Sequence, residues 1–257
     1  MAPARKRIDQ VLMERGLAGS RQKAQALLLA GQVLVDGQKV EKPGQRIPAD
    51  AEIRILEGLP YVGRGGLKLQ AALEHFAIPV RGRVCADLGA STGGFTDCLL
   101  QQGARKVHAF DVGRGQLAWK LRMDPRVAVH DARNVRHITA RDLPPDVGLV
   151  TIDLSFISLT KVLEPVRAAL RDGGAAGTID FVLLVKPQFE VGKGEVGKGG
   201  IVRDPEKARR TVEVVAGHAE ALGFEVAGSL PSPVLGAKGN QEFLLYLRLH
   251  PGLSSAP

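Results

Sequence analysis

Cysteine, aromatic side chains and long apolar runs are scarce in this 257-residue chain. Cys85 and Cys98 are its only cysteines. Two thiols cannot supply a disulfide scaffold or a four-cysteine zinc site, and their places in an apolar strand and the helix after it suit reduced, buried groups. No metal is expected. No apolar run approaches the roughly 18 to 20 residues that a bilayer span needs, and the opening MAPARKRIDQ lacks the apolar core of a signal peptide. A cytoplasmic protein without stable membrane association is the expectation. Aromatics make up 4% of the chain, yet hydrophobic residues reach 44%, so aliphatic side chains must build the core.

Negative charge is the other deficit. The chain has 27 Asp and Glu against 35 Lys and Arg, a net +8. Residues 1 to 64 hold 11 basic against 7 acidic side chains, so half of the excess sits at the front. A basic, densely charged front end points to a polyanionic partner.

The stretch VCADLGASTGGFTDCLL, Val84 to Leu100, organises the rest. An apolar strand, Val84 to Ala86, ends at Asp87, and a loop with Gly89, Ser91, Thr92, Gly93 and Gly94 opens into a helix from Phe95. Glycine permits positive φ and close backbone approach, and the helix N-terminus offers unpaired N–H groups. An ordinary βα turn would look the same, so the remaining chain has to decide between a cofactor loop and a simple connection.

Before this stretch lies a module of its own. Arg5 to Arg15 reads as a helix with Ile8, Val11 and Leu12 on one face, closed by Gly16. Ser20 caps a second helix with Ala24, Leu27 and Leu28 as its apolar stripe, ended by Gly31. A hairpin follows, Val33-Leu34-Val35, the turn Asp36-Gly37, and Lys39-Val40, with a further strand from Glu52 to Leu56. The joint is placed at about 57–63, giving domains 1–60 and 61–257. Beyond it, Arg64 to Phe76 reads as a helix whose Lys68 stands among Leu67, Leu69, Leu73 and Phe76, near an apolar wall.

From Val84 onward strands and helices alternate. Strands are predicted at Lys106 to Phe110, Val127 to His130, Val147 to Ile152, Phe181 to Val185, Glu225 to Leu230 and Glu242 to Leu249, with a long helix from Lys207 to Leu222. This is the α/β pattern of a mostly parallel, Rossmann-like sheet, which binds ligands at the carboxyl ends of its strands. Asp87, Asp111, Asp131 and Asp153 follow strands one to four. A carboxylate accepts two vicinal ribose hydroxyls, and Asp111 stands 22 positions after Gly89, a spacing familiar from dinucleotide sites. The loop does not fit G-x-G-x-x-G, however.

It resembles instead the first motif of the S-adenosylmethionine-dependent methyltransferases, D-x-G-x-x-x-G-G, matched by Asp87, Gly89, Gly93 and Gly94. That resemblance implies S-adenosyl-L-methionine as cofactor, held by these residues with Ser91, Thr92 and Phe95. Asp111 and Val112 would lie at the ribose, and Asp131 and Ala132 would border the adenine. The segment Asp153-Leu154-Ser155-Phe156 lacks the Pro-Pro-aromatic signature of base amino methylation. Both cysteines flank the glycine loop, which leaves no nucleophile for carbon methylation. An oxygen acceptor remains.

Lys68, Asp153, Lys186 and Glu242 match, in order, the Lys-Asp-Lys-Glu tetrad of the FtsJ-like ribose 2'-O-methyltransferases. Lysines that share a site ease each other's deprotonation, and two carboxylates balance the charge. The front pattern RIDQVLMERGLAGSRQKAQALLLAGQVLVDGQKV resembles the RNA-binding domain of ribosomal protein S-four, a small α+β fold. By that resemblance Arg5, Lys6, Arg7, Arg21, Lys23 and Lys39 would touch RNA phosphates. The combination resembles the TlyA family of ribosomal RNA 2'-O-methyltransferases, also known as haemolysins, through GRGGLKL, ADLGASTGGFTD, TIDLSFISL, LLVKPQFE and GNQEFLLY. The expected partner is ribosomal RNA or a ribosomal subunit. The alternative is a non-catalytic ribosome-binding or assembly factor, or a haemolysin-like protein, retaining the fold. Residues 192 to 199, GKGEVGKG, approach a phosphate loop but end in Gly199 where a hydroxyl should bind magnesium. They read better as a flexible basic loop near Lys186.

Overall fold

The computed structural model describes residues 5–29, 32–56, 60–192, 195–197 and 199–251. The chain divides into two compact units, Met1–Leu59 and Pro60–Pro257.

In the first unit β1 (Arg5–Arg7) precedes α1 (Ile8–Glu14) and α2 (Arg21–Leu29), followed by β2 (Val33–Val35), β3 (Gln38–Lys39), β4 (Arg46–Pro48) and β5 (Ile53–Ile55). Ile8, Val11, Leu12, Ala24, Leu28, Val33 and Ile47 form its core, as the apolar spacing of the two helices requires. The Ser20 hydroxyl accepts from the Lys23 amide at 3.2 Å, the expected cap. Gly31, read as the end of that helix, lies outside the described residues. Arg5 to Arg7 corrects the sequence reading: these residues are a strand and not the first turn of α1, pairing antiparallel with Arg46–Pro48. Three cations in a first helical turn would face the positive end of the helix dipole, whereas Asp9 suits it.

The second unit runs α3 (Gly65–His75), β6 (Val84–Leu88), α4 (Gly94–Gln101), β7 (Lys106–Phe110), α5 (Trp119–Arg122), β8 (Val127–His130), β9 (Val147–Ile152) and α6 (Leu163–Asp172). It continues with β10 (Ile179–Val185), α7 (Pro187–Glu190), α8 (Pro205–Ala221), β11 (Glu225–Pro231) and β12 (Phe243–Leu249). Its seven strands lie in the order β11-β12-β10-β9-β6-β7-β8. All neighbours are parallel except β12, which is antiparallel to both β10 and β11. The two-residue period of the strands divides the core. Phe181, Leu183 and Val185 of β10 pack with Val166, Leu170 and Val215 of α6 and α8 on one face. Val182 and Leu184 pack with Leu69, Leu73 and Leu99 of α3 and α4 on the other. Cys85 and Cys98 are free and buried, and burial pushes both thiols up to about 12. Among the described residues no helix is long and apolar enough to cross a membrane, and no group of His, Cys, Asp or Glu could hold a metal ion.

Candidate methyl-transfer site

The carboxyl ends of β6, β7, β8 and β9 open on a cavity of about 950 Å³, lined in part by Gly89, Ser91, Asp111, Val112, Asn134, Asp153, Ser155 and Phe156. Asp111, just beyond β7, accepts the Ser91 amide on Oδ2 at 2.8 Å and the Gly113 amide on Oδ1 at 2.7 Å. A carboxylate has about four acceptor positions, so two remain for a diol. Ser91 (φ 48°), Ala132 (φ 58°) and Phe156 (φ 65°) all carry left-handed backbone, and all three stand just beyond strand ends. Such strain gathers where surroundings hold a loop in a functional shape.

Several of the other residues expected at the cofactor are engaged within the protein. Asp87 does not end its strand, which runs on to Leu88, and it is fully buried. Its carboxylate accepts the hydroxyls of Thr96 at 2.6 Å and Thr151 at 3.0 Å, and burial nevertheless pushes it up to about 6. A Cβ on Gly89 would meet the Asp153 carbonyl oxygen at 2.2 Å, and one on Gly93 would meet Leu121 Cδ1 at 2.3 Å. These glycines, at φ 95° and 98°, serve close packing within the protein as well as loop shape. Gly94 abuts the Gly66 backbone, Phe95 is buried in the core around α3 and α4, and Thr92 is exposed outside the cavity lining. Asp131 pairs with Arg122 at 2.8 Å, which holds its carboxyl below the ordinary range, and Ala132 lines a smaller adjoining cavity of about 230 Å³.

The four tetrad residues form two ion pairs. Lys68, on α3 and 8% exposed, lies 2.5 Å from Glu242, 2% exposed, the residue just before β12. Lys186, just after β10, lies 2.5 Å from Asp153 Oδ1 as an ion pair and donates to Ser155 Oγ at 3.0 Å. The register Val185↔Phe243 sets Lys186 and Glu242 opposite one another, one residue beyond that pair. Asp153 and Ser155 line the cavity, so the pair that holds Lys186 borders the same space as Asp111.

Several residues that pattern reading missed also gather here. Phe156 is 91% exposed, with its ring centroid 5.1 Å from that of Phe189. Arg136 and Lys161 line the cavity without an ion-pair partner among the described residues. Phe156 had a signal, an aromatic in the segment after β9, which hydropathy alone assigns to a core; Arg136 and Lys161 had none.

In the first unit Asp9 is fully buried and accepts Arg7 Nε at 3.0 Å, Arg7 Nη2 at 2.9 Å and Arg21 Nε at 3.3 Å. Lys6 pairs with Glu14 at 2.6 Å, Lys39 with Glu41 at 2.9 Å, and Arg5 donates to the Arg46 carbonyl at 3.1 Å. Lys23 is exposed. Within residues 192 to 199, Lys193, Gly194 and Lys198 lie outside the described residues.

The pattern of the FtsJ-like methyltransferases matches residues 61–249 and that of the S4 domain residues 6–53. Fold and site define an FtsJ-like methyltransferase carrying an S4 domain. The 16S/23S rRNA (cytidine-2'-O)-methyltransferase TlyA of Mycobacterium tuberculosis is 49% identical over 95% of this chain and 90% of its own. YqxC of Bacillus subtilis, named as an rRNA methyltransferase, is 44% identical over 96% of this chain and 87% of its own. A solved structure described as a hemolysin, from Streptococcus thermophilus, superposes with a TM-score of 0.72 at 40% identity, covering 97% of this chain and 90% of that one. The chain belongs to the TlyA family.

Proposed function

We propose that this protein transfers a methyl group from S-adenosyl-L-methionine to a ribose 2'-hydroxyl of ribosomal RNA, with residues 1–60 binding the RNA and residues 61–257 performing the reaction. The observation that carries the reading is the placement of Lys186, paired to Asp153 and bonded to Ser155 beside the cavity that Asp111 enters. The cofactor, when bound, supplies an electrophilic methyl group. Asp111 fits its ribose diol, and Gly89, Ser91 and Val112 form the neighbouring wall. The donor set suits an uncharged diol beside an apolar surface.

What remains for the chain is to orient the acceptor oxygen and take its proton. In our reading Lys186 does both. To take that proton Lys186 must present a free amine, which becomes the ammonium as the methyl bond forms. Asp153 and Ser155 hold its head group in place, and the buried Lys68–Glu242 pair keeps the surrounding charge balanced. Phe156 offers an exposed ring on which a base can stack, while Arg136 and Lys161 offer phosphate contacts. In the RNA-binding unit Arg7 and Arg21 share one buried carboxylate and present their remaining N–H groups together.

Lys186→Ala tests the reading. Turnover at saturating ribosomal subunits should fall by about a hundredfold or more, while cofactor and RNA still bind. Rescue of the rate by RNA concentration alone would reduce Lys186 to an RNA contact. If the unaltered protein transfers no radiolabelled methyl to subunits or free rRNA, the non-catalytic assembly role takes its place.

A further inference from the structure

Two segments meet at the site. One runs from Asp153 to Ser158 after β9 and carries Asp153, Ser155 and the exposed Phe156. The other is α7, which begins one residue after Lys186 and ends at Glu190. Both are short, and in the first Phe156 has φ 65°, a conformation that a bulky residue does not hold by itself.

Glu190 is the bond between their far ends. Its Oε2 accepts the Ser158 hydroxyl at 2.6 Å and its Oε1 accepts the Leu159 amide at 2.9 Å. Ser158 in turn caps the single helical turn Leu159–Lys161, accepting the Thr160 amide at 3.2 Å. Burial pushes the Glu190 carboxyl up from the usual glutamate range, and these two donors oppose that shift. Withdrawing a carboxylate from water is costly unless it is hydrogen-bonded, and both oxygens of Glu190 are. The two segments are thus fastened at three levels: Lys186 to Asp153 and Ser155, Phe189 against Phe156, and Glu190 to Ser158 and Leu159. Neither the tetrad nor the cofactor motif includes Glu190.

We propose that Glu190 is a positioning residue for methyl transfer, fastening the Asp153–Ser158 loop to the turn that follows Lys186; this rests on the function proposed above. Without it, the loop keeps its Lys186 contact at one end and loses its anchor at the other. Phe156 is then free to leave its strained conformation, and Asp153 and Ser155 no longer hold Lys186 in one place. Site geometry held by a supporting shell is sensitive to such loosening.

Glu190→Ala, Glu190→Gln and Ser158→Ala are compared in the full chain. Glutamine keeps both contacts, with Oε1 accepting from the Leu159 amide and Nε2 donating to Ser158 Oγ. Methyl transfer is measured at saturating cofactor with ribosomal subunits varied, and amide hydrogen exchange is followed across residues 153–162 and across β9 and β10. With alanine, kcat/KM for the subunits should fall about tenfold or more, and exchange should rise in residues 153–162 but not in the two strands. Glutamine should restore the rate to within about threefold. Ser158→Ala should change both readouts in the direction of Glu190→Ala, by less. Unchanged exchange in Glu190→Ala, or a glutamine variant no better than alanine, overturns the proposal. If Glu190→Ala fails to fold, the glutamine and Ser158→Ala variants still decide it. The exchange arm does not depend on activity, so absence of RNA methylation by the unaltered protein would refute the proposed function without deciding whether Glu190 anchors the loop.

Discussion

A methyl group built on Gly236 would stand 1.9 Å from Glu242 Oε1, so the carboxylate of Glu242 occupies the place a side chain at 236 would take. Glu242 is enclosed, 2% exposed, and its other oxygen is bound to Lys68. It cannot yield without leaving that partner. Gly236→Ala should therefore lower kcat by about tenfold, near 1.4 kcal/mol of barrier, while RNA affinity is unchanged. Steady-state kinetics with varied subunits checks this, and an unchanged kcat would mean that the Lys68–Glu242 pair is not needed for turnover.

Asp111→Ala should weaken S-adenosylmethionine binding by about tenfold or more, and it should also cost about 1–2 kcal/mol of stability, because the amides of Ser91 and Gly113 lose their acceptor. Calorimetric titration and urea unfolding separate the two effects. Unchanged affinity removes Asp111 from the cofactor site.

Asp87 gives a pH signature. Its folded value of about 6 is raised from 3.8, so between about pH 4 and 6 the folded protein holds a proton that the unfolded chain has released. Stability therefore falls as pH rises through that window, and the loss is complete above it. Asp87→Asn keeps partners for Thr96 and Thr151 and does not titrate. Relative to the unaltered protein it should gain up to about 3 kcal/mol on going from pH 4 to pH 7, measured by urea unfolding without cofactor. Parallel pH profiles for the two proteins would show that Asp87 carries no such penalty.

The opposite sign holds for Asp9, which Arg7 holds down to about 2. Its contribution to stability is present above about pH 4 and is lost as pH falls towards 2. Asp9→Asn should lower affinity for structured RNA several-fold, since Arg7 and Arg21 lose their common anchor. Both cations remain, so the salt dependence of binding should keep its slope. Arg21→Glu should flatten that slope, and a filter-binding series in salt distinguishes the two. Equal slopes for both variants would take Arg21 off the phosphate.

Alternation of strands and helices made the sheet legible, and with it the acidic residues beyond β7, β8 and β9. Asp87 was misplaced because a carboxylate reads as a strand end, and only the fold shows Thr96 and Thr151 converging on it. Residues 5–7 were hidden because three-residue strands carry almost no period, and their partner, Arg46–Pro48, is some forty positions away. Phe156 was overlooked for a different reason: an aromatic beside strands is ordinarily core, and its exposure follows from a backbone angle that composition does not encode. Glu190 meets Ser158 and Leu159, about thirty positions earlier, and Gly236 meets Glu242 across the loop that leads into β12; patterns of local spacing show neither contact.

The bond between Lys68 and Glu242 joins residues 174 positions apart, and Glu242 immediately precedes β12, the last strand among the described residues, which inserts between β10 and β11. The residues that line the cavity, Gly89 to Phe189, all precede Glu242 in the chain. Loss of β12 would break both antiparallel seams of the sheet and strip Lys68 of its carboxylate in the same event, so local opening of this one strand would be felt at the edge of the cavity as well as in the core.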